Sequence, residues 1–384
     1  MNHVPPDITL GIVGGGQLGR MLGEAASPLG VGTVVLDPTP DCPAYPPARD
    51  QLVADFDDLA AVKSLAERVD VLTLEIELAD PDALESVTEA TGTPVQPAPD
   101  DLRMTRDKLV EKETLDAADI PIPAYAGVGD ESDLRVALDE LGSPLMLKAR
   151  RGGYDGRGNA VVESVEEATA YFGSLSGLIA EELVDFEREL SAIGVRGVNE
   201  RRTYPVGENV HEAEILRETL VPARTDQDRI DRATDIARSV LSTLEGRGVF
   251  GIELFEATDG TILVNEIAPR PHNSGHYTIE GTVTSQFEQH VRAVLGLPLG
   301  STELREPTAM ANVLGDGQKS RPVSMSGVES MLDLEGAHLH WYGKREVRPL
   351  RKLGHVTVTG PDLASNRRQA RKARETLRFA GGDD

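Results

Sequence analysis

The sequence predicts an α/β protein: a doubly wound N-terminal domain, a central α+β domain and a small β-rich C-terminal domain. Three observations carry this prediction. Strand and helix patterns alternate through roughly the first 95 residues, which implies parallel pairing. Beyond a proline-rich stretch, strands follow one another across glycine-rich turns and pair as hairpins. The last stretch returns to short strands ended by one basic helix.

Ile8–Val13 is a short apolar run, broken by glycines and followed by helical spacing from Arg20 to Gly30. Val31–Asp37 reads as the next strand, Asp57–Asp70 as a helix and Val71–Glu77 as a strand. Thr93–Asp101 holds three prolines and reads as a linker, so the domains are placed at 1–97, 98–300 and 301–384. Arg106–Asp119 reads as a charged helix and Ile120–Ala126 as extended. Pro144–Ala149 and Asn159–Ser164 flank the glycine-rich loop Arg150–Gly158 as a hairpin-like unit. Gly177–Leu183, Glu189–Val195 and Glu214–Ala223 read as strands. The clearest amphipathic helix is Asp226–Glu245, with Ile230, Ala233, Ile236, Ala237, Val240, Leu241 and Leu244 on one face. Gly248–Ala257 and Thr261–Ala268 form a hairpin about Thr258-Asp259-Gly260, and Thr284–Gly296 is a helix. Ala311–Gly315 and His355–Gly360 read as strands before a basic helix from Asp362 to Arg378.

Composition narrows function. There are 39 basic and 64 acidic residues, a net charge of −25, and such a surface repels nucleic acid phosphates. Only eight of the basic residues are lysine. An acid-rich, lysine-poor chain fits adaptation to high salt, or an ordinary acidic enzyme with arginine-rich codon usage. Cys42 is the single cysteine, which excludes an internal disulfide and an all-cysteine zinc site. No apolar run approaches the ~20 residues of a membrane span, and the first residues lack a signal-peptide pattern. A cytoplasmic protein with no membrane partner is the expectation.

Five motifs carry chemistry. Gly14, Gly16 and Gly19 form G-x-G-x-x-G between a strand and a helix, with Asp37 ending the next strand. This turn is open to three readings: a dinucleotide site, a generic turn of a doubly wound domain, or a turn that holds substrate. Lys148 precedes the loop Arg150–Gly158, whose four glycines free backbone donors for phosphates while Lys148 and Arg157 supply charge. Glu253 and Glu266 lie on neighbouring strands within apolar runs, with Asn265 beside one of them. Paired carboxylates in that setting suit magnesium. Arg270 and His272 sit in a proline-stiffened segment and point the same way, one to bind an anion and one to move a proton. Lys344, Arg345, Arg348, Arg351 and Lys352 form a cationic island, which suits a small anion such as a monophosphate or else an ion-paired face.

Together, GIVGGGQLGRM, LTLEIE, GGYDGRG, NEIAPRPHNSGH and YGKREVRPLRKLGH resemble the ATP-grasp superfamily, and within it the 5-(carboxyamino)imidazole ribonucleotide synthases, over nearly the whole chain. The resemblance implies a central ATP-grasp domain, ATP and Mg2+ as cofactors, a homodimer, and hand-off of product to a mutase. It implies nucleotide contacts from Lys108, Lys148, the loop residues Gly153, Tyr154, Asp155, Gly156, Arg157, Gly158 and Asn159, the hinge Glu181, Glu182, Leu183 and Val184, and Glu189, His211, Asn265 and Glu266. Glu253 and Glu266 carry over as magnesium ligands. Gln17, Leu18, Glu75, Asn273, Lys344, Arg351 and Lys352 fall where related enzymes hold the ribonucleotide, and Arg270, His272 and Lys344 are the catalytic candidates. The family often has arginine where Lys108 stands, and Ala268 occupies the place of an asparagine metal ligand found in many ATP-grasp enzymes. The activity implied is carboxylation of 5-aminoimidazole ribonucleotide with ATP and bicarbonate. The alternatives are another ATP-grasp ligase, such as a formate-dependent glycinamide ribonucleotide transformylase, a nicotinamide dehydrogenase, and a non-catalytic nucleotide sensor.

Overall fold

A computed structural model describes residues 8–152 and 158–381. The N-terminal region is a four-stranded parallel sheet in the spatial order Asp50–Leu52, Gly32–Leu36, Thr9–Val13, Val71–Leu74. Its strands are apolar on both faces because both are covered. On one face Val13, Leu36, Leu65 and Leu74 pack together. On the other, Leu10, Ile12, Leu22 and Val35 pack with Phe287, Val291 and Val294 from the central helix Gln286–Val294. His290 of that helix is a further stitch. Its Nδ1 accepts from the Val249 amide at 3.0 Å, which leaves the proton on Nε2, 2.7 Å from Thr73 Oγ1.

The proline-rich stretch is not a linker. Val95 bridges Leu72 in parallel and lies in the N-terminal core. Pro99 opens the helix Pro99–Thr105, where a missing N–H costs nothing. Asp101, 3% exposed, accepts the amides of Glu245 and Gly246. Among the described helices of eight residues or more, three escape the sequence pattern: Pro81–Thr91, Glu131–Glu140 and Val165–Phe172. Each is short and buries few apolar side chains, so periodicity is weak; Asp80, Asp130 and Ser164 cap their first amides.

The central region holds two sheets. A four-stranded antiparallel sheet runs Tyr125–Val128, Leu178–Glu182, Leu145–Ala149, Asn159–Val162, so the strands flanking the glycine loop do pair as a hairpin. A nine-stranded sheet has Phe186–Arg196 between Gly248–Ala257 and Gly207–Glu212. The amphipathic helix Gln227–Thr243 lays Ala233, Ala237, Val240 and Leu241 on Phe250, Ile252 and Val264 of that sheet. The C-terminal strands Thr308–Leu314, Lys352–Thr359 and Ala337–Trp341 extend the same sheet outward from Ile215–Val221. The basic helix Leu363–Thr376 covers them, and Arg367 and Arg371 grip the buried Glu218, whose carboxyl they hold below its ordinary range against burial. Among the described residues no helix is long and apolar enough to cross a membrane.

Where the C-terminal strands meet the central region, three imidazoles stack: His276 on His355 at 4.6 Å between centroids, and His355 on His340 at 4.5 Å. Tyr342 meets His355 Nδ1 at 2.8 Å and Glu280 meets His340 Nε2 at 2.7 Å, but among the described residues neither ring nitrogen of His276 has a partner. Burial, then the neighbouring His340 and His272, push His276 well below the ordinary imidazole range. The folded state therefore refuses a proton that the unfolded chain takes up below about pH 6.5, and this contribution to stability is lost as pH falls through that value. His276→Phe removes the titration. In urea unfolding, the variant should gain on the parent by about 1.4 kcal/mol between pH 7.5 and 5.5. A difference independent of pH would refute the assignment.

Candidate active site

The cleft between the two central sheets is built around Lys148, 7% exposed, near the end of its strand. Its Nζ donates to Glu181 Oε2 at 2.8 Å and to Asn265 Oδ1 at 3.2 Å. Glu181, the first residue of the expected hinge, lies inside the strand Leu178–Glu182, flanked by Tyr125 and Met146, and its buried side chain holds Lys148. Glu182 is also engaged, donating its amide to Ala124 O and accepting the Ala124 amide on Oε1. The half-exposed Leu183 with Val184 is left as the connection to the next strand.

Lys112, 1% exposed, donates to the carbonyls of Val264 and Asn265 and lies 3.9 Å from Glu181 Oε1. One helical turn earlier Lys108 donates to Glu266 Oε2 at 2.6 Å. Both follow from i,i+4 spacing on the helix Lys108–Ala117. Between them Glu111 accepts the Ile267 amide, and burial raises its carboxyl. Asp107 caps this helix and clamps the base of the glycine loop. Its carboxylate takes Arg150 at 2.8 Å through both Nε and Nη2, and Arg151 at 3.0 Å. Gly153, Tyr154, Asp155, Gly156 and Arg157 lie outside the described residues. Gly158 and Asn159 follow, and Asn159 starts the return strand opposite Lys148.

Glu253 and Glu266 stand opposite each other across the hairpin. Desolvation, then the neighbouring Glu266, push the Glu253 carboxyl up to about 7. For Glu266 desolvation works upward too, but Lys108 and Lys148 outweigh it and hold the carboxyl at about 2. Two facing carboxylates that resist joint ionisation are a donor set a hard divalent cation fits, so Mg2+ suits this pair. Further along the sheet Glu189 is paired with His211, and Glu189 holds the imidazole above its usual range against burial.

His272 joins the carboxylate pair to the rest of the site. Its Nδ1 is 2.8 Å from Ser274 Oγ and 3.4 Å from the Ser274 amide, so Nδ1 accepts and Nε2 carries the proton facing Glu253 Oε1 at 3.2 Å. Burial, then Arg270, drop the imidazole to about 3, so the ring is neutral. Arg270 donates from Nε to Glu77 Oε1 at 2.7 Å and from Nη1 to the Pro271 carbonyl at 3.2 Å. Asn273 Oδ1 is 3.5 Å from Gln17 Nε2, and Gln17 Oε1 accepts from Lys344 Nζ at 2.8 Å. Residues 270–273 thus touch Glu253 on one side and the N-terminal domain on the other, where Gln17 in turn meets Lys344.

The cationic island divides. Arg345 faces Asp41 and Arg348 pairs with Glu346, an ion-paired face, whereas Lys344 reaches into the cleft and also donates to the Lys352 carbonyl. Arg351 donates to the Glu346 carbonyl at 3.1 Å. The charge of Lys352 acts on His211, Glu253 and His272, which places it beside the carboxylates. The side chain of Leu18 is in the N-terminal core, so a contact from this residue to a ligand would come from its backbone.

The glycine turn has its anion within the chain. Glu75 accepts the amides of Gly16 at 2.6 Å and Gly19 at 3.0 Å, and Asp37 takes that of Gly15 at 2.8 Å. A pyrophosphate would need those same amides, so the dinucleotide reading does not fit. Sequence reasoning missed Lys112, Glu111, Asp107 and Glu77. Two of only eight lysines four residues apart, and a second glutamate two residues beyond Glu75, were the signals available.

This fold and site define an ATP-grasp ligase. Residues 113–287 match the ATP-grasp domain, 8–106 the ribonucleotide synthetase preATP-grasp domain and 308–369 the phosphoribosylaminoimidazole carboxylase C-terminal domain. The N5-carboxyaminoimidazole ribonucleotide synthase of Bacillus subtilis is 40% identical over 356 residues, 92% of this chain and 91% of its own. The chloroplastic phosphoribosylaminoimidazole carboxylase of Vigna aconitifolia is 40% identical over 94% of this chain, which spans 65% of that longer protein. Among solved structures, the Thermotoga maritima synthetase superposes with a TM-score of 0.88 at 40% identity, covering 97% of this chain and 99% of that one. The Aspergillus clavatus synthase, in complex with ADP and 5-aminoimidazole ribonucleotide, gives 0.87 at 34% identity over 97% and 98%. The chain belongs to the N5-carboxyaminoimidazole ribonucleotide synthase family.

Removing the Glu181 charge leaves Lys148 and Lys112 buried without their carboxylate. Glu181→Gln should lower the unfolding free energy by about 3–5 kcal/mol in urea titrations. An unchanged midpoint would show that Asn265 and the backbone carbonyls suffice.

Proposed function

We propose that the chain carboxylates the exocyclic amine of 5-aminoimidazole ribonucleotide, using ATP and bicarbonate and releasing ADP and phosphate. The observation that carries this reading is the placement of residues 270–273. His272 touches Glu253 of the metal-binding pair, and the adjacent Asn273 touches the Gln17–Lys344 contact.

A bicarbonate oxygen attacks the terminal phosphorus of ATP and ADP leaves, which forms carboxyphosphate. That compound breaks to carbon dioxide and phosphate, and the amine nitrogen bonds to the carbon as its proton departs. Lys148 and Lys108 spread the charge of the phosphates, a task the resemblance also gives to the glycine loop. Bound to Glu253 and Glu266, Mg2+ would neutralise charge on the triphosphate oxygens. Arg270 holds the small oxyanion. His272 is neutral; taking the amine proton at Nε2 requires Nδ1 to become the donor to Ser274 Oγ. Glu189 and His211 lie where the nucleoside end is placed, with the stacked Phe186 and Phe255 nearby. Gln17, Asn273, Lys344, Arg351 and Lys352 receive the ribose phosphate, and Glu75 fixes the turn beside them.

The reading includes a homodimer and product hand-off to a mutase, both supported by the resemblance. It also includes cytoplasmic work, a preference for high salt supported by the charge of −25, and domain limits at 97/98 and 300/301. A transformylase remains the second ligase reading, separated by assay with formate and glycinamide ribonucleotide.

In magnesium and molar potassium chloride, phosphate release should rise sharply on adding 5-aminoimidazole ribonucleotide, with labelled bicarbonate incorporated into product. Release indifferent to the ribonucleotide would overturn the substrate. Arg270→Ala and His272→Ala should each lower turnover by about 10² or more, and near-normal rates would refute their roles. Lys344→Ala should raise the KM for the ribonucleotide; an unchanged KM with normal turnover would remove Lys344 from the phosphate site.

A further inference from the structure

We propose that Glu77 is a positioning residue for Arg270, presenting one end of its guanidinium to the bicarbonate-derived anion. This inference rests on the carboxylation reading above. Glu77 lies in the turn between the strand Val71–Leu74 and the helix Pro81–Thr91, at the carboxyl end of the parallel sheet. In doubly wound folds, that end is where side chains reach ligands. Arg270 belongs to the other domain, just beyond the strand Ile262–Ala268.

Three observations assign the role to Glu77 rather than to another of the nearby acids. Glu75 already accepts two amides, one on each oxygen, so its lone pairs face the glycine turn. Glu266 is taken by Lys108. Glu77 alone among these acids contacts Arg270, through Nε at 2.7 Å. The grip is on the side of the guanidinium. With Nε on Glu77 and Nη1 on the Pro271 carbonyl, Nη2 has no acceptor among the described residues. A planar fork held at two of its three nitrogens keeps a fixed plane, and the remaining N–H groups form a rigid donor for a small oxyanion. Both partners are mostly shielded, with side chains 18% and 33% exposed, so solvent competes weakly with the contact.

Glu75 and Glu77 therefore divide one short segment between two tasks. One shapes the turn on the ribonucleotide side, and the other aims the arginine on the carboxylation side. The segment joins the two reacting partners through a single stretch of backbone.

Steady-state kinetics of Glu77→Gln and Glu77→Asp test this, with ADP formed and labelled carbon incorporated measured in the same samples. Glu77→Gln keeps the shape and loses the charge. It should raise the bicarbonate KM or lower kcat by about 10- to 100-fold, leave the ATP KM within twofold, and lower carbon fixed per ADP formed. Glu77→Asp should recover part of that loss. Bicarbonate kinetics and coupling within twofold of the parent would overturn the proposal. So would a loss spread evenly over all substrates with coupling intact, which is the signature of a structural role. Melting temperatures of both variants identify a folding defect, and the Asp variant then carries the test. A parent enzyme that fixes no bicarbonate would instead defeat the carboxylation reading itself.

Discussion

The ion pair between Lys148 and Glu181, closed on its far side by Asn265, is the interaction on which the cleft depends. The pair ties two neighbouring strands of the small antiparallel sheet, and the bond from Lys148 to Asn265 joins them to the large one. A chain with 64 acidic residues has few cations to spare for a triphosphate. It gathers three of its eight lysines, Lys108, Lys112 and Lys148, into one space and gives each a carboxylate or a carbonyl. Burial works against the charge of Lys108, and Glu266 and Glu111 outweigh it.

Much of this was legible in the sequence. Glu253 and Glu266 could be paired because a two-residue periodicity and a Thr-Asp-Gly turn fix the register of a hairpin. The strands flanking the glycine loop could be read as a hairpin because an apolar run ends at Lys148 and another begins at Asn159. The helix Gln227–Thr243 was legible because its whole apolar face meets one core. What stayed hidden was set by tertiary contact. Asp107 looks like any helix cap until Arg150 and Arg151 close on it from a strand end more than forty residues away. Thr93–Asp101 looked like a linker because prolines mark loops, whereas here one proline starts a helix and the valine between them joins the N-terminal core. The buried contact of Glu181 with Lys148 was also hidden, because it depends on which strands the sheet places side by side.

The glycine turn shows how a motif shared by unlike functions is resolved. Glycines at 14, 16 and 19 create free amides at a helix start, and any anion satisfies them. Here Glu75 and Asp37 supply that anion from neighbouring strands. The turn is thereby rigid and already neutralised, and its role shifts from seizing a phosphate to holding Gln17 toward the cleft. Identical local geometry serves a different ligand because of two acids that lie outside the motif.

The sheet that carries Glu253 and Glu266 runs on, without a break, into the strands after residue 307. The C-terminal region is therefore part of the roof over the site and not an appendage. A chain ending near residue 300 would leave Ile215–Val221 as an open edge, with Leu216, Leu220 and Val221 losing cover and a row of unpaired backbone groups facing solvent. Such an edge pairs with its own kind.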